Sequence, residues 1–533
     1  MKRFVLLMIA LGCLTISSAA DYVNVIVPRP AQYKALEGEF ALTAKGKIRA
    51  CSPELVAPAK LFAEQVAAII GGEMKVVSKG SGVITLSLLS TLAEEEYLLD
   101  IKPTGIEIKG GSPRAVFYGL QSLRQVVAAS ENSNGVVTLT AVSIVDKPHF
   151  QYRGAMLDVC RHIFTVDEVK QYIDILALHK LNKFHWHLTE DQGWRIEIKR
   201  YPELSKVAAY RDNTIVGRNR VSKVYDDTRY GGIFTQDQVR EVVAYAAERY
   251  IDVVPEIEMP GHSVAALAAY PDLGCTGGPY KVWPRWGISK EIYCAGKEST
   301  FEFIENVLSE VISLFPYKYI HIGGDEAPRD EWKRCPHCQQ RIKDEGLKDE
   351  AQLQSYFMER IERWLAEHNR SIIGWDEILE GGISKSATVM SWRGSKGGIK
   401  AAKLGNDVIM TPNTHCYIDY YQTSDHKANN EPLANGRRPV TLKVAYDLDP
   451  YAELNEQQQS HIKGVQMNLW TEYVATFAHV QHMLLPRIAA LSETGWSYEN
   501  KNYEDFCRRM HILRKLYDKQ GFVYAPYFFN GIE

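Results

Sequence analysis

From residue 150 onward, short apolar runs alternate with long amphipathic stretches, the pattern of βα units built on a parallel sheet. Eight runs read as strands: Gly154–Leu157, Lys183–Leu188, Asp252–Glu256, Tyr319–Ile322, Ser371–Trp375, Thr388–Trp392, Asp407–Met410 and Val465–Leu469. Two of the helices between them announce their starts. Thr165-Val166-Asp167-Glu168 and Thr235-Gln236-Asp237-Gln238 are capping boxes, in which the Thr hydroxyl takes an orphan backbone N–H and the acid or amide reaches back. Eight units within residues 149–533 predict a (β/α)₈ barrel with long loops. The rival, a doubly wound open sheet, lacks its signature, since no Gly-rich dinucleotide turn follows any of the runs.

The first 150 residues are organised differently. Lys2 and Arg3 precede a short apolar run that ends near Ser18-Ala19-Ala20, which reads as a signal peptide over 1–20 with cleavage after Ala20. Ala10-Leu11-Gly12-Cys13 loosely resembles a lipidation box, which would place a lipid on Cys13 instead. Either reading exports the chain, to the periplasm or the cell surface, with membrane contact only through Cys13. Residues 21–148 then mix a helix over Leu61–Ile70, strands over Val83–Leu89, Tyr97–Ile101 and Gly105–Lys109, and a helix over Ala115–Ala129. Strands followed by a packing helix predict a small α+β domain.

Composition excludes some functions. With 62 Lys+Arg against 65 Asp+Glu in 533 residues, the chain has no basic footprint for nucleic acid. Of nine cysteines, Cys275 and Cys294 bracket a Gly/Pro/Trp-rich loop that a disulfide could close. Cys335-Pro-His-Cys338 has the spacing of half a zinc site, but no second pair at a matching spacing follows. A local disulfide or free thiols is the reading favoured there.

In a barrel, chemistry sits at the C-terminal ends of the strands. Every predicted strand end here is polar or aromatic: Asp158 and Arg161-His162; His185-Trp-His187 with Glu190-Asp191; Glu256, Glu258 and His262; His321 and Gly323-Gly324-Asp325-Glu326; Trp375-Asp376-Glu377; Trp392-Arg393; Tyr417 and Asp419; Trp470 and Glu472. Adjacent side chains on a regular strand point to opposite faces. The glycines before Asp325 and Glu326 relax that constraint, so both carboxylates can aim into one pocket. The His185/His187 spacing puts two imidazoles on one strand face, which fits either a metal or a hydrogen-bonded core; the core reading is favoured, and no metal is assigned. His262 reads as a group that orients or tunes a carboxylate. Trp375, Trp392 and Trp470, each beside a charged residue, read as walls of a pocket rather than as core alone.

These stretches together resemble family 20 glycoside hydrolases, the β-N-acetylhexosaminidases. The resemblance rests on Arg153-Gly-Ala-Met-Leu-Asp158-Val-Cys-Arg161-His162, His185-Trp-His-Leu-Thr-Glu-Asp191-Gln-Gly-Trp-Arg195, Glu256-Ile-Glu-Met-Pro-Gly-His262 and His321-Ile-Gly-Gly-Asp325-Glu326. Trp375-Asp-Glu, Trp392, Tyr417-Ile-Asp419 and Trp470-Thr-Glu472 continue the match in order. One departure is Glu190, where the family usually has Asp. The resemblance implies an exo-acting, retaining hydrolysis in which the substrate supplies its own nucleophile, so no cofactor is required. It implies Glu326 as general acid and base, Asp325 as partner of the acetamido N–H, and Tyr417 as donor to the acetamido oxygen. Trp375, Trp392 and Trp470 would wall the acetyl group. Arg153, Asp419 and Glu472 would grip sugar hydroxyls, with Asp191 and His262 supporting the acid. The implied partner is an oligosaccharide or glycoconjugate, and the chain would act as a monomer or homodimer. The alternative is a non-catalytic glycan-binding protein on the same fold, against which the joint presence of Asp325, Glu326 and Tyr417 argues.

Overall fold

The computed structural model describes residues 24–436 and 438–532. The expected leader at 1–20, Cys13 included, lies outside the described residues.

The N-terminal unit is a mixed sheet with helices. Its strands are β1 (Gln32–Thr43), β2 (Lys47–Ala50), β3 (Lys75–Val77), β4 (Ile84–Leu88), β5 (Tyr97–Lys102), β6 (Gly105–Gly110) and β7 (Val136–Asp146). They run in the order β1-β7-β5-β6-β4-β2-β3, and the two-residue strand Asn132–Ser133 pairs β7. Helices α1 (Val56–Ile70) and α2 (Pro113–Ala129) pack against each other and the sheet. The Ser112 hydroxyl caps α2 by accepting from the Ala115 N–H.

Eight parallel strands then close into a barrel: β8 (Tyr152–Asp158), β9 (Lys183–His187), β10 (Asp252–Met259), β11 (Tyr319–Gly323), β12 (Ser371–Trp375), β13 (Thr388–Ser391), β14 (Val408–Met410) and β15 (Ile462–Leu469). All eight coincide with the predicted runs to within three residues at either end. Both predicted capping boxes form, at the starts of α3 (Val166–Leu178) and α4 (Gln236–Ala247). Almost every strand residue is buried, because helices cover the outside and side chains fill the inside.

Register decides what meets inside. Asp158 stands level with His187, His187 with Glu256, and Glu256 with His321. Four polar residues from four strands therefore share one layer near the C-terminal rim.

The two units meet through buried charge. Lys180 Nζ lies 3.0 Å from Asp146 Oδ2 and 2.9 Å from the Tyr97 hydroxyl, all fully buried. The Trp496 indole N–H donates to the other Asp146 oxygen at 2.8 Å.

Arg153 belongs to this interface and not to the site, which corrects its predicted role. It is the second residue of β8, at the N-terminal end of the barrel. Its guanidinium donates to Glu95 Oε2 and the Lys180 carbonyl, both at 3.0 Å, to the Phe150 carbonyl at 2.7 Å, and to the Tyr118 hydroxyl at 3.0 Å. Trp496 covers it at 4.9 Å. A strand rises about 3.3 Å per residue. A residue at the start of β8 and one just past its end therefore occupy opposite faces of the barrel.

Candidate active site

The pocket at the C-terminal rim has an empty volume of about 650 Å³ and is lined by Arg161, Glu190, His262, Asp325, Glu326, Trp392, Tyr417, Asp419, Tyr420, Asn435, Trp470 and Glu472. It thus joins residues that follow seven of the eight strands.

The carboxylate pair comes from a stretch of left-handed backbone. Gly323 has φ +66°, Gly324 φ +97° and Glu326 φ +42°. Gly323 has no alternative, because a Cβ there would stand 1.7 Å from Glu258 Oε2. This turn brings both Asp325 and Glu326 to the pocket. Asp325 is 10% exposed in its side chain and Glu326 32%, so one sits deep and the other at the rim.

His262, itself at φ +48°, connects this pair to the end of β9. Its Nε2 lies 3.8 Å from Asp325 and 3.6 Å from Glu326. Its Nδ1 lies 2.8 Å from Glu190 and 3.4 Å from Asp191. Burial opposes a charge on the ring, but Glu190, Asp191 and Glu326 outweigh it and hold its pKa well above the usual imidazole value. Burial, opposed by the His262 imidazolium and helped by the neighbouring Glu326, pushes the Asp325 carboxyl up to about 7. Burial also disfavours the Glu190 anion, yet Arg161 and His262 hold that carboxyl well below the usual range. Asp191 does not line the pocket. It sits behind His262 and accepts the Val264 N–H at 3.0 Å.

The aromatic wall is built in two depths. Tyr417 stacks on Trp392 with centroids 5.9 Å apart and faces Trp470 at 6.3 Å. Trp392 is fixed by its indole N–H, which donates to Glu377 at 2.9 Å. Trp375 is fully buried and lies under Trp470, 6.0 Å between centroids. It therefore acts as floor to the box rather than as exposed lining. Burial holds the Tyr417 phenol well above its ordinary pKa, so it is a neutral donor.

Beneath the floor, the two histidines of β9 hold a carboxylate. Glu256 is hydrogen-bonded to His187 Nδ1 at 2.5 Å and accepts the Trp375 indole N–H at 2.8 Å, and His185 Nε2 and His321 Nδ1 each lie 2.9 Å from its oxygens. Burial alone would raise Glu256, but the three imidazoles bring it well below the ordinary value. His185 Nδ1 meets the Gln466 amide at 2.9 Å and His321 Nδ1 accepts the Gly323 N–H at 3.1 Å, so these rings are packed into the barrel core.

The far side of the pocket carries Asp419 and Glu472, whose carboxyls burial pushes up, each reinforced by its acidic neighbours. The arginine facing them is Arg161, not Arg153. Arg161 follows β8, contacts Asp158 at 3.1 Å and Glu190 at 3.3 Å, and stacks over Trp470 at 5.0 Å. Arg487 fixes the segment that carries Tyr417 and Asp419 by donating to the Ile418, Tyr420 and Val440 carbonyls. Asp325 Oδ1 and Asp419 Oδ1 are buried with no protein partner. Such orphan acceptors in a pocket mark where a ligand's donors bind. Sequence reasoning missed Tyr420 and Asn435, which line the pocket from the long loop after β14.

A barrel that gathers paired carboxylates, a tyrosine and an indole box at its C-terminal rim is a glycoside hydrolase scaffold. Residues 150–499 match the glycosyl hydrolase family 20 catalytic domain, and residues 24–147 match domain 2 of the same family. The chain belongs to glycosyl hydrolase family 20. It is 44% identical over 511 residues to a beta-hexosaminidase of Porphyromonas gingivalis, covering 94% of this chain and 64% of that one. The chain thus spans under two thirds of that relative's length. The fold is similar to the crystal structure of an exo beta-N-acetylglucosaminidase from Vibrio harveyi in complex with N-acetylglucosamine. The TM-score there is 0.84 at 30% identity, covering 94% of this chain and 78% of that one. It is also similar to a beta-N-acetylhexosaminidase from Bacteroides fragilis, with TM-score 0.80 at 32% identity, covering 94% and 97%.

Proposed function

We propose that this chain is an exo-acting, retaining β-N-acetylhexosaminidase. It releases terminal β-linked N-acetylglucosamine or N-acetylgalactosamine from the non-reducing ends of glycoconjugates, with the substrate's acetamido oxygen as nucleophile. The observation that carries this is the unpartnered Oδ1 of Asp325, beside Tyr417 in an indole box and next to Glu326 at its rim. An acetamido group offers one N–H donor, one carbonyl acceptor and one methyl. Asp325, Tyr417 and the Trp box answer these one for one.

In the first step the acetamido carbonyl oxygen attacks the anomeric carbon as the glycosidic C–O bond breaks. Glu326 gives its proton to the departing oxygen. The resulting oxazolinium is positive, and the Asp325 carboxylate beside its N–H stabilises it. In the second step water attacks the anomeric carbon, Glu326 takes the water proton, and the ring opens back to the acetamide. Two inversions give net retention. Asp419, Glu472 and Arg161 hold the sugar hydroxyls, charged groups giving the tighter bonds. Exo action is supported by the three charged groups gathered on one side of the pocket, which would grip a terminal sugar's hydroxyls. Glu326 and Trp392 also border an open shelf with Arg329, Gln354, Glu380 and Arg393, where the rest of the glycan leaves. We also propose export through the leader at 1–20, checked by the N-terminal mass of the mature chain.

Hydrolysis of chromogenic β-N-acetylglucosaminide, β-N-acetylgalactosaminide and β-glucoside tests the reading. The two acetamido sugars are turned over and the plain glucoside is not. Glu326→Gln and Asp325→Asn each lower kcat by about 10²–10⁴-fold. Comparable turnover of the glucoside, or full activity in Glu326→Gln, refutes it.

A further inference from the structure

Four cysteines distant in sequence converge outside the sugar pocket. Cys275 and Cys294 lie in the segment between β10 and α5 (Glu298–Leu314). Cys335 joins α6 (Asp330–Arg334) to α7 (Pro336–Asp344), and Cys338 lies on the first turn of α7. Cys294 Sγ is 3.6 Å from both Cys335 Sγ and Cys338 Sγ, and Cys275 Sγ is 3.8 Å from Cys338 Sγ. All four sulfurs lie within 4.8 Å of one another, three of the residues being buried. The second pair missing from the sequence reading therefore exists, at a spacing no short motif reveals.

The shape of the cluster indicates what it holds. Zinc–thiolate bonds of about 2.3 Å put the four sulfurs of a tetrahedral site about 3.8 Å apart. The observed contacts are close to that edge length. The cluster shows no partition into disulfides, since Cys294 is equally near to two partners. Gly296 is the close approach that lets the two strands of chain meet, because a Cβ there would stand 2.1 Å from the His337 carbonyl carbon.

We propose that Cys275, Cys294, Cys335 and Cys338 bind one zinc ion in a closed tetrathiolate site. Binding releases four thiol protons and forms four Zn–S bonds, with no change of oxidation state. Four protein ligands fill the tetrahedron, so the ion has no position for water or substrate and its role is structural. What it fastens is the loop after β10 to the helices after β11. Tyr293 N–H donates to the Pro260 carbonyl at 3.0 Å, and the Trp332 indole N–H donates to the Tyr293 carbonyl at 2.9 Å. Pro260 leads into His262, and α6 begins just beyond Glu326. The ion thus sets the spacing between His262 and the carboxylate pair. It does not depend on which sugar the pocket takes.

The test is metal analysis of the full chain, expressed with zinc available and purified without chelator. One zinc per chain is expected, with an intact mass carrying all four thiol hydrogens once the ion is removed by acid. Cobalt substituted for zinc is expected to give the charge-transfer and ligand-field bands of a tetrahedral thiolate site. Cys294→Ser and Cys338→Ser are expected to lose the metal, while Cys51→Ser keeps it. The proposal is overturned by wild-type chain without zinc, whether its mass is short of the four hydrogens, as two disulfides require, or complete. It is equally overturned by a ferric-thiolate spectrum in place of zinc, or by full zinc content in both ligand variants. The wild-type metal count and mass decide the matter even where a variant fails to fold.

Discussion

Arg153 and Arg161 stand eight residues apart on and just past one strand, and their replacement separates stability from catalysis. In Arg153→Met the guanidinium's four bonds vanish, leaving Glu95 to its longer 3.5 Å contact with Arg114 and the Lys180 and Phe150 carbonyls without that donor. Removing one partner of a buried ion pair costs about 3–5 kcal/mol. With an unfolding entropy of roughly 1 kcal/mol/K for a chain this long, the melting midpoint falls by roughly 3–5 °C. The pocket is untouched, so kcat/KM at 25 °C stays within about threefold of wild type, under 0.7 kcal/mol. The loss also has a pH signature. Burial opposes ionisation of Glu95, but Arg153 outweighs it and depresses the carboxyl. A depressed carboxyl contributes stability above its unfolded pKa and loses it as pH falls through the folded one. The gap between wild type and variant is therefore full at neutral pH and narrows in acid. Arg161→Met behaves oppositely. It removes charged hydrogen bonds worth about 1.5–3 kcal/mol each at the pocket, so kcat/KM drops by roughly 10–150-fold per bond lost. Calorimetry and initial rates on both variants decide the issue. An Arg153→Met enzyme with wild-type stability and a hundredfold lower kcat/KM would refute the assignment of Arg153 to the domain interface.

Two further outcomes follow from the carboxylate turn. Gly323→Ala puts a methyl into Glu258 at a left-handed position, costing about 2–5 kcal/mol in strain and overpacking; urea denaturation reads it, and an unchanged midpoint contradicts the close approach. Asp325 ionises near pH 7 in the free pocket, so kcat/KM falls as pH drops through about 7. In the complex the acetamido N–H stabilises the anion, so the acid limb of kcat lies at lower pH; identical limbs in the two profiles would contradict that contact.

The barrel was legible because each strand is an apolar run ending in chemistry, and the runs recur in order along the chain. The carboxylate pair was legible because two glycines before Asp325 leave a backbone no strand would need. What was not legible depends on three dimensions. β1 is half-exposed and interrupted by a bulge between Ala35 and Glu39, so its apolar alternation is broken. Arg153 and Arg161 look equivalent until strand direction places them at opposite ends. Cys275 and Cys294 gain their partners only when loops from two different strands meet.

The buried contacts between the two units bear on how the chain can be divided. A barrel beginning at residue 150 would keep Arg153 and Lys180 but lose Glu95 and Asp146, and Trp496 would lose its acceptor. Two cations at the barrel's base would then lack counter-charge. The N-terminal unit is the foundation on which the barrel stands, and trimming it to isolate the catalytic half would remove the footing along with the excess.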